Sequence, residues 1–129
     1  MKNIRCLTNN PMVIDRGLPF VDAMPGSSVV ELFRAVRKEI MGGYRLITHP
    51  LTGSMGPDRN PYKSIMLAGI PGKVDPRSLE IIERAIGFGE GFTETEMHSN
   101  WDSSTLKDFQ LIDMDFIKEY LNGSEEPFL

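Results

Sequence analysis

Short apolar segments alternate along this chain with segments whose apolar residues recur at helical spacing. A capping box at Ser28 and Glu31 opens the clearest helix, in which apolar residues repeat up to Ile40. The short apolar segments that predict strands are residues 4–7, 19–22, 44–48 and 64–68. Because strands alternate with helices, the sequence predicts an α/β fold: a single layered domain with a mainly parallel central sheet of about four to five strands and flanking helices.

Three further segments are predicted to be helical. An asparagine N-cap followed by proline starts a short helix over residues 11–16. An Asp-Pro pair at residues 75–76 starts a second helix, whose end is weakened by three glycines. Residues 115–121 (DFIKEYL) predict the third. The stretch just before it, residues 109–113, is compatible with either a short strand or part of a helix.

Length and composition limit the classes of protein to consider. The chain has 129 residues, which fits one domain over residues 1–123, with residues 124–129 as a flexible acidic tail. A net charge of -4 argues against broad nucleic-acid binding, which requires a dense basic face. No apolar run approaches the ~20 residues of a membrane span. Cys6 is the single cysteine, so no internal disulfide can form and we expect a cytoplasmic location. Because Cys6 lies inside a predicted strand, we expect it to be a buried apolar side chain.

Two polar clusters follow predicted strands. Residues 8–10 (TNN) follow the first strand, and residues 49–54 (HPLTGS) follow the third. In open α/β sheets, ligands bind at the carboxyl ends of the strands. If the first and third strands are adjacent and parallel, both clusters face one crevice. The connection over residues 49–61 is also long for a compact domain, and such loops are often functional.

The second cluster has the chemistry of an anion site. The backbone N–H groups and hydroxyls of residues 52–54 (TGS) suit an anion, and Lys63 or Arg59 adds positive charge. Asn9 can hydrogen-bond a ligand, whereas Asn10 is better explained as a helix cap. The candidate ligand-binding residues are Asn9, His49, Thr52, Gly53, Ser54 and Lys63. The alternative is that the loop hydroxyls bond only to their own backbone.

His49 is the candidate catalytic residue, since imidazole exchanges protons near neutral pH. Its alternative role is to anchor the loop by hydrogen bonds, and no partner nucleophile or orienting carboxylate can be identified in the sequence. Glu94, Glu96 and His98 alternate, but no second ligand pair accompanies them, so we predict no metal and no cofactor. Trp101 is expected to be a packing anchor.

Four stretches of the chain carry a resemblance to a known family. They are TNNP at residues 8–11, THPLTGS at residues 48–54, NPYKSI at residues 60–65 and DFQLID at residues 108–113. In this order they resemble the GrdX family, small proteins encoded beside the glycine, sarcosine and betaine reductase components of anaerobic amino-acid fermentation. The resemblance implies an association with that system and supplies no catalytic residues. A single cysteine argues against a dithiol redox role within the subunit.

These observations lead to three hypotheses about function. The leading one is a non-catalytic accessory protein that binds a small anionic metabolite, such as the acetyl phosphate of the implied pathway, or a subunit of the reductase complex. The second is a small enzyme that uses His49 with the loop hydroxyls. The third is a structural or protein-interaction module without a ligand, with an exposed apolar patch around residues 92–101 or on the C-terminal helix. The sequence leaves a homo-oligomer open.

Overall fold

The computed structural model describes residues 3–51, 60–69, 72–91 and 101–121 of the chain. Within these ranges the chain forms four strands and four helices. In chain order they are β1 (Asn3–Thr8), α1 (Pro11–Ile14), β2 (Val21–Ala23), α2 (Val29–Met41), β3 (Tyr44–Leu46), β4 (Ser64–Gly69), α3 (Pro76–Glu90) and α4 (Ser103–Leu121). The predicted α/β class is confirmed.

The four strands form one mixed sheet in the order β2-β1-β4-β3. β1 and β2 are parallel, whereas β4 lies between β1 and β3 and is antiparallel to both. The prediction of a mainly parallel sheet is therefore wrong. That prediction assumed a helical crossover between successive strands, which parallel neighbours require. β4 instead turns back beside β3, with Leu46 opposite Leu67, so this pair needs no crossover.

Side-chain caps explain where the helices begin. Ser28 Oγ accepts a hydrogen bond from the Glu31 N–H at 3.1 Å, and Glu31 Oε1 accepts one from the Ser28 N–H at 3.0 Å, which completes the predicted capping box. Asp75 Oδ2 accepts from the Ser78 N–H at 3.0 Å at the start of α3. Most other predicted boundaries differ from the observed ones by about one or two residues, as is usual at element ends.

Residues 109–113 belong to α4, so the helical alternative for this stretch is the correct one. The helix begins well before its predicted start, because Asp102 Oδ1 accepts a hydrogen bond from the Thr105 N–H at 2.7 Å and caps the first turn. Trp101 packs edge to face on Phe109, with ring centroids 5.0 Å apart, as expected of a packing anchor. None of the helices in the described ranges has the length and hydrophobicity needed to span a bilayer.

Alternation along the strands gives the sheet two buried faces. On one face, Leu7, Ile65 and Leu67 pack with apolar residues of α2 and α3. On the other, which we call the α4 face, strand residues meet those of α1 and α4, and its buried members are Cys6, Val13, Ile47, Met66, Ala68, Ile117 and Leu121. Burial raises the pKa of the Cys6 thiol, which keeps it protonated and unreactive, in agreement with its predicted role.

Candidate functional site

The ends of three strands meet at one edge of the sheet. β1 and β3 run in the same direction because each is antiparallel to β4, and β1 ends where β4 begins, with Thr8 opposite Ser64. The two polar clusters that follow β1 and β3 therefore begin at the same edge. The assumed adjacency of these strands is wrong, since β4 lies between them. The start of β4 thereby becomes part of the site.

On the α4 face of this edge, polar groups of four residues form a continuous chain of hydrogen bonds. The Asn10 N–H donates to Thr8 Oγ1 at 2.9 Å, and the Thr8 and Ser64 hydroxyl oxygens are 2.7 Å apart. Ser64 Oγ donates to Asp113 Oδ2 at 2.6 Å, so the Thr8 hydroxyl donates to Ser64. All four residues are buried. Each bond polarises the next, and the chain ends on the carboxylate of Asp113.

Asn10 connects this chain to two helices. Its Oδ1 accepts a hydrogen bond from a backbone N–H of α1 at 3.0 Å, which is the predicted helix cap. Its Nδ2 donates to Asp113 Oδ2 and to the Gln110 carbonyl oxygen, both at 2.9 Å. Asn60 Nδ2 makes a further bond to α4, at the Phe109 carbonyl oxygen and 2.7 Å. Polar side chains after β1 and before β4 therefore position α4 against the sheet.

Asn9 lies beside this network but is directed toward the backbone. Its Nδ2 donates to the carbonyl oxygens of Ser27 at 2.8 Å and Pro61 at 3.0 Å. Its Oδ1 accepts from the Lys63 N–H at 2.8 Å. These bonds use both amide hydrogens and join three segments of the chain. The structure thus gives Asn9 the role of a connector, and we leave it out of the candidate pocket.

A cavity of about 240 Å³ lies between α4 and the strand ends. Its polar lining residues are Thr48, His49, Lys63, Ser64, Asp113 and Tyr120, and its apolar lining residues are Ile47, Pro50, Phe116 and Ile117. This volume lies below the usual range for drug-sized ligands, so the cavity suits a small metabolite. Lys63 and Asp113 place opposite formal charges on its wall.

Burial changes the titration of both charged groups. Lys63 is only 4% exposed, and burial lowers the pKa of its ammonium group to about 8, although the charge of Asp113 acts in the opposite direction. Burial raises the pKa of the Asp113 carboxyl, against hydrogen bonds from Ser64 and Asn10 and the charge of Lys63. The two charges therefore stabilise each other, while each loses hydration.

His49 lines the same cavity. Its Nδ1 accepts a hydrogen bond from the Leu51 N–H at 3.1 Å, which places the ring proton on Nε2. Burial, and then the charge of Lys63, lower the pKa of the imidazole and favour its neutral form. The bond to Leu51 fits the anchoring role. A general acid–base role for His49 stays a prediction.

The structure brings two predicted site residues, His49 and Lys63, to one cavity. Other residues that the sequence singled out lie outside the described ranges, together with the predicted acidic tail: Thr52, Gly53, Ser54, Arg59, Glu94, Glu96 and His98. In the described residues, no group of three or more His, Cys, Asp or Glu side chains is arranged to hold a metal ion. The candidate site therefore consists of the cavity and the network behind it.

Sequence reasoning missed Asp113 and Ser64 as site residues, and it placed Thr8 in a polar cluster without giving it a role. The sequence contained an indication that Asp113 is buried. Asp113, Ile117 and Leu121 follow one another at intervals of four residues, which places them on one side of α4, and all three are buried. A carboxylate in such an apolar stripe is buried and needs hydrogen-bond partners. Neither Ser64 nor Thr8 carries a comparable signal, since their pairing depends on the order of the strands.

The fold and the site define a class: an α/β protein with a small, charged cavity where a helix covers one edge of a mixed sheet. A family model described as GrdX-like protein matches residues 5–122, so the chain belongs to the GrdX-like family. Searches among curated proteins and among solved structures found no match to the chain. Parts of all four stretches that carry the family resemblance, TNNP, THPLTGS, NPYKSI and DFQLID, meet around the cavity and its network.

Proposed function

We propose that this protein is an accessory protein of the glycine, sarcosine and betaine reductase system and binds a small anionic metabolite in the cavity beside α4. The observation that carries the proposal is Lys63, a buried lysine on the wall of a small cavity. Membership of the GrdX-like family supports the link to the reductase system. The proposal moves the expected site from residues 52–54 toward the start of β4.

The physical argument rests on the cost of burying a cation. Burial destabilises the charged form of Lys63, as the fall of its pKa to about 8 indicates. An anion bound in the cavity would stabilise the ammonium group by a charge-assisted hydrogen bond. The Nε2–H of His49 would be a second donor on the same wall. Such a site favours a small carboxylate or phosphate over a larger ligand.

Calorimetric titration with phosphate, acetate and acetyl phosphate tests the proposal. We expect Lys63→Met to weaken binding of the bound anion by roughly tenfold to a hundredfold, the usual contribution of one hydrogen bond to a charged group. Affinity for that anion in the unmodified chain should also fall as the pH rises through about 8, because Lys63 then loses its charge.

Lys107→Met is the matched control, because Lys107 is a lysine in α4 whose side chain is exposed. It removes the same charge from the chain without touching the cavity and should leave affinity unchanged. Equal losses in the two variants would show that only the net charge matters, and no binding of any of the three anions would overturn the proposal.

A second candidate function, contact with a subunit of the reductase complex, is favoured by the outer side of α4. Leu111 and Ile112 are each about half exposed there, on the helix where the hypothesis of an interaction module predicts an exposed apolar patch. Purified reductase subunits should be retained by the immobilised chain, and Ile112→Glu should abolish this retention. Retention that is equal for both forms, or absent for both, would count against this role.

A further inference from the structure

Lys63 and Asp113 lie on the wall of the same small cavity, one just before β4 and the other in the middle of α4. From this pair of opposite charges we infer that the ligand is a small zwitterion of the amino-acid class, whose acidic group faces Lys63 and whose ammonium group faces Asp113. The inference rests on the proposed function, in which an acidic group of the ligand binds at Lys63, and it adds an ammonium group to that ligand.

A ligand with only a negative charge matches one of the two charges on this wall. It would be attracted by Lys63, but it would also approach the Asp113 carboxylate, and both residues are nearly shielded from water, at 4% and 6% exposed. Like charges repel more strongly where water does not screen them. An ammonium group on the same ligand replaces this repulsion with a second attraction, so the charges of ligand and wall then match.

Asp113 is itself one of the residues that line the cavity. Ser64 Oγ and Asn10 Nδ2 donate to its Oδ2, at 2.6 and 2.9 Å, and the Ser64 backbone N–H also stabilises the carboxylate. These bonds hold the carboxylate at the cavity wall, where its negative charge would attract the ammonium group of the ligand.

The apolar wall limits the size of the ligand. Ile47, Phe116 and Ile117 also line the cavity, and the whole space is about 240 Å³. A ligand that reaches both charges must place its acidic and ammonium groups close together. An amino acid with a small side chain, or with none, satisfies both conditions.

The titration of the two groups supports this assignment. Burial lowers the pKa of Lys63 to about 8 and raises that of Asp113, so each charged form lacks part of the stabilisation it has in water. A zwitterion would supply an opposite charge to both groups at once. Its binding should therefore raise the pKa of Lys63 and lower that of Asp113.

The test compares one zwitterion with its single-charge fragments. The full chain is titrated calorimetrically at pH 7 with glycine, acetate, methylamine and phosphate. We expect glycine to bind at least about tenfold more tightly than any of the other three, because each buried charged contact contributes about that factor or more. Acetate or phosphate binding as tightly as glycine would overturn the zwitterion but leave the anion site standing, and no binding by any of the four would overturn both.

Asp113→Asn tests the ammonium contact directly, because it removes the charge and keeps the shape. Asp115→Asn is its control on the same helix, where the Asp115 side chain is 69% exposed. We expect Asp113→Asn to weaken glycine binding at least about tenfold without weakening acetate binding, and the control to change neither. Equal losses for glycine and acetate in a folded Asp113→Asn variant would overturn the inference. If that variant does not fold, the comparison of probes on the unmodified chain decides.

Discussion

Lys63 and Asp113 are charged side chains that lie almost out of contact with solvent. Burying a charge is costly unless the protein supplies partners, and Asp113 receives hydrogen bonds from Ser64 and Asn10. Titratable groups that burial has shifted, and that line a cavity, are typical of functional sites. At the scale of single residues, this pair is the main support for the proposed ligand site.

Lys63 predicts how stability depends on pH. Its pKa is about 8 in the folded chain and near the ordinary 10.5 in the unfolded chain. The unfolded state therefore binds more protons at Lys63 between these values, so the contribution of Lys63 to the free energy of unfolding should rise with pH across this window. For a shift of this size that contribution rises by roughly 3 kcal/mol. The raised pKa of the Cys6 thiol acts in the opposite direction in the upper part of the window, and comparison with a Lys63 variant separates the two effects.

Denaturant unfolding at a series of pH values from 7 upward measures this effect. Relative to Lys63→Met, the free energy of unfolding should rise with pH in both the unmodified chain and Lys107→Met. Parallel curves for the unmodified chain and Lys63→Met would show that Lys63 titrates as it does in the unfolded chain.

At the scale of elements, two helices show how packing changes what local preferences predict. α3 continues through Gly87 and Gly89 to Glu90, although glycine weakens helices. Gly89 has a packing reason, because a Cβ there would lie 2.7 Å from Val30 Cγ2 of α2. Gly87 has none, since a Cβ there would meet nothing within 4 Å.

The two glycines predict opposite effects of the same substitution. Gly87→Ala should stabilise the protein by about 0.5–1 kcal/mol, the helix-propensity gain of alanine over glycine. Gly89→Ala should destabilise it by about 1–3 kcal/mol, because the new methyl group overlaps a stiff β-branched side chain. Thermal or denaturant unfolding of the two variants provides the comparison. A stabilising Gly89→Ala would mean that α2 and α3 can move apart without cost.

α4 is attached to the sheet in a different way from α2. Its buried residues are Asp113, Ile117 and Leu121, and hydrogen bonds from Asn10 and Asn60 hold its middle part. This mixed contact explains why periodicity alone left residues 109–113 ambiguous between strand and helix. A carboxylate in the apolar stripe weakens the helical pattern, and only its hydrogen-bond partners at the strand ends, Asn10 and Ser64, explain its burial.

At the scale of the whole molecule, the position of β4 between β1 and β3 decides the site. It places Ser64 opposite Thr8 and brings both hydroxyls under α4, where they connect to Asp113. A parallel sheet with β1 beside β3 would have placed the two polar clusters together without β4. The expected crevice therefore has a counterpart in the structure, but its wall includes β4 and α4.

The sequence by itself determined the α/β class, the starts of α1, α2 and α3, and the burial of Cys6. Caps and hydrophobic periodicity act between residues a few positions apart, so they can be recognised without the fold. The sequence also singled out His49 and Lys63 beside predicted strands, and both line the cavity.

Only the tertiary structure decided the strand order, the mixed character of the sheet and which residues form the candidate site. Asn10 and Asp113 form one hydrogen bond although 103 positions separate them in the chain. Contacts of this kind depend on which strands become neighbours, and local sequence preferences carry no information about that choice. The cavity is defined by such contacts, because its charges come from segments that meet only when α4 packs onto the sheet.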